Sequence, residues 1–428
     1  MTSASDPPST ESILAKRPPR ISRRRLWLFR GLILLAFAAG QEGLFRAMFP
    51  LPEVQKFNRI HYQQMAQSHP QIGKAMGRGL VYDRLLIESR PDGFAEVHDL
   101  NAYGFRGPDF RADPDPARRR ILVIGDSVVE GEGVGDRSTI TAEWSRLLAG
   151  EGTPAEVINL GVIAASLPHL WILTRDAVNL LHPADVVVAI YPNDLPAPSE
   201  PSLLTAPAKT FARTPADYRP WLVDLAERAI YEEPIHRRWF HPAIRFFAPV
   251  PDGTNPWSAR DRPDGLKPEL YEDMKAGRLN PWLWHQSQDA PRQLAHDFAT
   301  GGSPVHFLER MHDTCRAAGA RMMVAYTPFC GIVHPRYASA LVELGMDPAT
   351  ASALATDPKY RGQNRVMADV CRELGLPLAD ATADLEAAEA VAPQYWPYDT
   401  HPNADGYATI ARRIHETWKA SLAAAPTP

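Results

Sequence analysis

Short runs of branched apolar residues, alternating with stretches of helix length, constrain this chain more than any other feature. Ile121-Leu122-Val123-Ile124 breaks at Gly125, Glu156 to Leu160 breaks at Gly161, and Asp185 to Tyr191 breaks at Pro192-Asn193-Asp194. Apolar runs this short, with little polar alternation, read as strands buried on both faces. Between them Thr141 to Leu148 and Leu167 to Leu181 read as helices, the second ended by His182-Pro183. The alternation stops at Leu195 and resumes after residue 302. There follow a helix from Val305 to Ala318, a strand from Arg321 to Thr327, a helix from Asn364 to Leu374, a strand from Leu376 to Ala381 and a closing helix from Ala404 to Leu422. Repeated strand-helix-strand units build a parallel sheet covered by helices, so the fold class expected is α/β.

The remaining segments lack that rhythm. Residues 1–25 are rich in Pro, Ser and basic groups and are expected to be a disordered cytoplasmic tail. Lys16, Arg17, Arg20, Arg23, Arg24 and Arg25 precede an apolar run that is clean from Gly31 to Gly40 and extends to Phe49 across Gln41, Glu42 and Arg46. A basic flank followed by an apolar run is the layout of a membrane-targeting segment whose N-terminus stays in the cytoplasm. An uncleaved signal-anchor over 26–49 is the expectation, with Arg30 snorkelling to the interface. A cleaved signal, with Ala36-Phe37-Ala38 as the site, is its main rival, and a helix buried in a soluble domain is the third reading. Residues 50–118 read as a juxtamembrane segment packing on the α/β domain, with a helix over Glu53 to Met65 and strands over Leu80 to Glu88. Residues 196–302 carry Pro, Trp and His without a steady period and read as a loop-rich insertion or cap.

Composition narrows the function. A net charge of −4 gives no support for nucleic-acid binding, and Cys315, Cys330 and Cys371 are too few for a disulfide framework and lack metal-site spacing. At most one bridge can form, and all three can equally be buried thiols. Gly131-Glu132-Gly133-Val134-Gly135 misplaces the third glycine of a dinucleotide fingerprint and is followed by no P-loop Lys-Ser/Thr, so it reads as a turn. No Gly-x-Ser-x-Gly elbow is present. His236, His241, His285 and His334 lack metal-ligand spacing and default to surface or packing roles. In Asn101-Ala102-Tyr103-Gly104-Phe105-Arg106-Gly107, Phe105 and Arg106 read as scaffolding, with a substrate role for Arg106 as the alternative. No cofactor and no metal is implied.

Chemistry gathers where the strands end. Ser127 follows Gly125-Asp126, and in an open α/β sheet the carboxyl edge of the strands is where ligands bind. Taken alone, Asp126 and Ser127 can equally cap the following turn. Gly161, Asn193 and, far along the chain, Asp399-Thr400-His401 can converge on the same edge. A serine hydroxyl needs a base, which His401 supplies with a pKa near neutrality, and Asp399 can hold the other ring nitrogen. The Ser127 amide, the Gly161 amide and the Asn193 side chain are candidate oxyanion donors. Asp126 and Asp194 read as hydrogen-bonding braces.

Gly125-Asp126-Ser127, Gly161, Asn193-Asp194 and His401 occur in the order of the four blocks of the SGNH hydrolases, also called the GDSL family, which this chain resembles over 118–195 and 303–422. Asp399 to Tyr407 is similar to that family's last block, and Asn101 to Gly107 to a segment preceding the catalytic domain of its membrane-anchored bacterial members. The resemblance implies a flavodoxin-like three-layer α/β/α sandwich, here split into 119–195 and 303–422. It implies a serine esterase using an acyl-enzyme, with Ser127 as nucleophile, His401 as base and Asp399 as its orienting acid. Two departures bear on specificity. The acid stands two residues before the histidine, whereas the family's usual position three before is Tyr398, and Tyr191-Pro192 replaces a usual glycine two before the asparagine. Such an enzyme, anchored once in the inner membrane with its catalytic domain periplasmic, is expected to act on acylated envelope carbohydrate, with envelope-biosynthesis proteins as possible partners. An O-acyltransferase modifying an envelope polysaccharide is the alternative, and a non-catalytic envelope-assembly or carbohydrate-binding protein is a further one.

Overall fold

The computed structural model describes residues 22–48, 54–57, 67–69, 72–75, 82–195, 257, 260–295 and 303–424. The expected tail over 1–21, most of the insertion, His236 and His241 lie outside the described residues. Helix α1 (Arg23–Met48) contains a 23-residue stretch, Arg23–Phe45, that is long and apolar enough to cross a membrane. It belongs to a unit separate from the one that holds every element below.

After β1 (Val54–Phe57), β2 (Gln67–His69) and β3 (Gly73–Ala75) comes a hairpin of β4 (Tyr82–Ser89) and β5 (Phe94–Asp99). The chain then runs β6 (Arg119–Gly125), α2 (Ser127–Glu130), α3 (Ile140–Gly150), β7 (Ala155–Gly161), α4 (Leu167–Leu181) and β8 (Asp185–Ile190). Helices α5 (Pro268–Lys275), α6 (Leu283–Ala295) and α7 (Ser303–Ala317) lead to β9 (Arg321–Tyr326). Short helices α8 (Cys330–Val333), α9 (Ala338–Glu343) and α10 (Pro348–Ala353) precede α11 (Gly362–Leu374), β10 (Leu378–Asp380), α12 (Thr382–Glu389) and α13 (Ala404–Ala424).

The central sheet has five strands, all parallel, in the order β10-β9-β8-β6-β7. Counted among themselves, these strands follow the 2-1-3-4-5 order of flavodoxin-like folds, whose ligands bind at the switch point between the first and third strands. That crevice lies between the ends of β6 and β8, where Ser127 and Asn193 follow. The apolar run of β6, Ile121 to Ile124, still alternates. Leu122 and Ile124 join a cluster with Leu170 of α4 and Leu308 of α7, while Ile121 and Val123 join another with Trp144 of α3 and Ile410 of α13. Helices therefore cover both faces, as an α/β/α sandwich requires. Leu85, Ile87 and Phe94 of the hairpin enter the first cluster, so the segment before the sheet shares its core.

Two expectations fail. The helix expected over Glu53 to Met65 is strand β1 at Val54–Phe57, with 58–65 outside the described residues; Val-Gln-Lys-Phe spaces its apolar residues three apart, as a helix would, yet pairs in parallel with Tyr82 to Leu85. Strand pairing with a distant segment overrides a local helical pattern. The reading of 196–302 as loop-rich is corrected for α5 and α6. Helix α6 carries Pro291 inside it, which obscures the period, yet it places Ala290 and Leu294 in the second cluster. Cys315, Cys330 and Cys371 are free and buried.

Candidate active site

Asp126 turns the chain out of β6 and caps α2, its Oδ1 accepting the Val128 N–H at 2.9 Å. The first residue of that helix is Ser127, whose amide has no acceptor within the helix. The turn needs close approach from β7. A Cβ on Gly161 would lie 2.0 Å from the Glu130 backbone nitrogen, so only glycine lets β7 pass beneath α2. The Gly161 N–H itself donates to Asn159 Oδ1 at 2.9 Å, which engages it within its own strand. Arg106, 1% exposed, donates to the carbonyls of Glu130, Gly131 and Val134 and pairs with Asp136 at 2.7 Å, so it holds the glycine-rich turn together as scaffolding.

The Ser127 hydroxyl lies 2.9 Å from His401 Nε2 and 3.4 Å from Asp126 Oδ2. Its single proton therefore goes to the histidine, the shorter and better acceptor. His401 Nδ1 stands 2.8 Å from Asp399 Oδ1, and a tautomer protonated at Nδ1 satisfies both contacts. Ser127, His401 and Asp399 are 6%, 4% and 0% exposed. Between the two, Thr400 adopts φ +67°, a left-handed conformation costly for a β-branched residue, and that twist makes an acid two residues before the histidine reach its ring. Tyr398, at the spacing usual for the acid, instead donates its hydroxyl to Glu343 at 2.7 Å.

Asp126 and Asp194 act as braces. Asp194 Oδ2 accepts the Tyr191 N–H at 2.8 Å, fixing the turn that carries Asn193. Burial pushes the Asp126 carboxyl up to about 6, and burial together with the charge of Asp126 pushes Asp194 well above the usual carboxylate range. Two carboxyls this close in a dry site do not both ionise readily.

A cavity of about 230 Å³ opens beside His401, lined on one side by Ala164, Tyr191, Asn193 and Thr400 and on the other by Trp282, His285, Gln286, Asp289 and Gln293. The second wall is the beginning and one face of α6, so the insertion contributes directly to the site. Within it, Asn193 Oδ1 and the Tyr191 hydroxyl are buried without a hydrogen-bond partner. Three residues were not foreseen. Ala164, held left-handed at φ +50°, reaches the cavity where Gly161 does not, and its signal in the sequence was only the turn after β7. His285 lines the cavity and stacks on Trp257 with ring centroids 6.1 Å apart. Glu132 places Oε2 3.5 Å from His401 Nε2. Oxygen and nitrogen atoms of Glu132, Asp399 and His401 lie within 4.8 Å of one another, but Ser127 and Asp399 already occupy both ring nitrogens, which fits a proton relay better than a metal. His334 accepts the Arg336 N–H at 3.1 Å as a local cap.

No family profile and no curated protein matches the chain. Among solved structures it is similar to TesA at 15% identity and a TM-score of 0.34, over 71% of this chain and 99% of that one. It is similar to a family 3 carbohydrate esterase of Clostridium thermocellum at 12% identity and TM-score 0.34, over 72% and 98%. It is also similar to a catalytic mutant of Axe2, an acetylxylan esterase from Geobacillus stearothermophilus, at 12% identity and TM-score 0.35, over 70% and 93%. At these values the chemistry is decided by the chain's own residues.

Proposed function

We propose that the chain is a membrane-anchored serine esterase of the SGNH type, acting outside the cytoplasm on O-acylated carbohydrate. The observation that carries the reading is the continuous relay from the Ser127 hydroxyl through His401, at 2.9 Å, to Asp399, at 2.8 Å. His401 takes the Ser127 proton as Oγ attacks the ester carbonyl. The negative oxygen of the tetrahedral intermediate is met by the Ser127 N–H, the Asn193 side-chain amide and the Ala164 N–H, the last taking the role expected of Gly161. Each such donor is worth roughly 2.7–4 kcal/mol of barrier. Collapse breaks the bond to the leaving alcohol, which receives the proton from His401, and leaves acyl-Ser127. Water then attacks with His401 again as base, releasing acid and free serine. An acceptor sugar hydroxyl in place of water gives the acyltransferase, the second reading.

Carbohydrate is favoured over a long acyl chain by the cavity wall. Gln286, Asp289 and Gln293 repeat at helical spacing on α6 next to Trp282, an aromatic face with hydrogen-bonding groups, and Asn193 Oδ1 and the Tyr191 hydroxyl await partners. A polyol satisfies such groups, whereas an alkyl chain would leave them buried and unpaired at about 1–3 kcal/mol each. A fluorophosphonate probe is expected to label the wild type and to fail on Ser127→Ala and His401→Ala. Labelling that survives Ser127→Ala removes the nucleophile assignment. Acetate release from an O-acetylated oligosaccharide, with and without added acceptor sugar, separates hydrolysis from transfer.

A further inference from the structure

The tip of the β4–β5 hairpin, which lies before the sheet in sequence, grips the loop that carries the acid and base. Asp92 sits in the turn between the two strands, and its Oδ1 accepts the Tyr398 N–H at 2.9 Å while its Oδ2 accepts the Asp399 N–H at 2.8 Å. The Ser89 hydroxyl donates to the same Oδ2 at 2.6 Å. The loop is closed on itself as well, the Trp396 N–H donating to the His401 carbonyl and the Thr400 N–H to the Trp396 carbonyl, both at 2.9 Å. Those bonds fix the two ends of the turn. In its middle, the two amides immediately before left-handed Thr400 are both held from outside the loop by Asp92.

We propose that Asp92 is a positioning residue of the catalytic centre, acting through the backbone of Tyr398 and Asp399 to hold the Thr400 twist that aims Asp399 at His401. The inference rests on the Ser127–His401–Asp399 relay being the working site. It extends that site to the segment before the sheet, to which the blocks of the resemblance assign nothing. A carboxylate suits the task because it accepts three donors at once, whereas an amide side chain has one acceptor oxygen and would turn its NH2 against one of them. The position has a cost. Burial and the neighbouring Asp399 charge push the Asp92 carboxyl up to about 6. Facing Asp92 are Asp399 and Tyr398 from the loop, Glu343 behind the Tyr398 hydroxyl, Cys330 from α8 and Ser89 from its own hairpin, while Arg90 pairs with Asp273 at 3.2 Å. When ionised, Asp92 therefore adds a second negative charge behind Asp399 and favours imidazolium at His401.

The test uses Asp92→Asn and Asp92→Glu in the full chain, with steady-state hydrolysis of p-nitrophenyl acetate and an NMR titration of isotope-labelled His401. Asp92→Asn is expected to lower kcat about 10- to 100-fold with KM changed less than about threefold, because misaiming a catalytic group costs turnover more than binding. It should also move the His401 titration and the acid limb of kcat/KM to lower pH. Asp92→Glu keeps the charge but misplaces it, so kcat should fall while the His401 titration stays near its wild-type pH. An Asp92→Asn protein with wild-type kcat and an unmoved His401 titration overturns the proposal. So does a loss of kcat that only follows the folded fraction, read from the melting curve, with both pH values unmoved. The titration needs no turnover, so an esterase reading that fails on a Ser127-independent wild type leaves the Asp92 result readable on its own.

Discussion

Asp126 accepts a backbone N–H and caps the helix of the nucleophile, yet it does so as a buried acid whose folded-state value is about 6 against an ordinary 3.8. Between those two values the folded chain binds more protons at Asp126 than the unfolded chain does, so this group's contribution to stability falls as pH rises from about 4 to about 6 and is greatest on the acid side. Asp126→Asn keeps an oxygen for the Val128 N–H and removes the titration. The melting temperature of the variant relative to wild type is therefore expected to be higher at pH 7 than at pH 4.5, and a difference that stays constant with pH contradicts the assignment. At this scale the sequence was readable where chemistry and position coincide. Ser127, His401 and Asp399 meet as their residue types suggested. Gly161 was legible as a required glycine but not for its reason, since it serves the packing of α2 and gives its N–H to Asn159, while Ala164 reaches the cavity through a left-handed backbone that an alanine side chain does nothing to announce. Asp92, and Glu132 in its contact with His401, were illegible for a simpler reason: each reaches the loop of the acid and base across a long stretch of sequence, through contacts that no local pattern encodes.

The strands of the sheet were legible because burial on both faces demands continuous, mostly branched apolar residues, and Ile121 to Ile124 and Val186 to Ile190 supply them. Helix α6 was not, because part of its polar side, Gln286 and Gln293, turns inward to line the cavity while Asp289, 52% exposed and paired with Arg292, also meets solvent, and Pro291 interrupts the pattern that an amphipathic surface helix would display. That inverted role is what makes α6 testable as an element. If its face binds the sugar part of the substrate, the paired change Gln286→Ala with Asp289→Ala removes two hydrogen-bonding groups from one wall. The ratio of kcat/KM for an O-acetylated oligosaccharide to that for p-nitrophenyl acetate is expected to fall about tenfold or more, as loss of one or two hydrogen bonds of about 1 kcal/mol implies. An unchanged ratio would move substrate recognition elsewhere in the insertion.

Over the whole molecule, the apolar Arg23–Phe45 stretch, the basic residues before it and the buried thiols bear on one question, which side of a membrane the site faces. Lys16, Arg17, Arg20 and Arg23 to Arg25 precede the apolar run in sequence, and in a membrane-inserted chain such a bias favours keeping that end in the cytoplasm. The sheet and its site would then stand in an oxidising compartment, where free cysteines are a liability. Here they are shielded. Cys315 and Cys371 are buried with their thiols pushed up to about 12, Cys330 is raised further by burial, and Cys330 belongs to the cluster on the face of the sheet opposite the other two. A thiol that is neither exposed nor ionised is a poor nucleophile for disulfide exchange, so unpaired cysteines here are compatible with an oxidising compartment. Alkaline phosphatase, active only once exported, is expected to be active when fused after the last residue of the chain. The same enzyme fused between the basic cluster and the apolar run, near residue 25, should be inactive. A well-expressed but inactive C-terminal fusion would place the site in the cytoplasm. Replacing the six basic residues by Gln should lower the activity of the C-terminal fusion, since that change removes the charge difference across α1 and leaves its apolar length untouched.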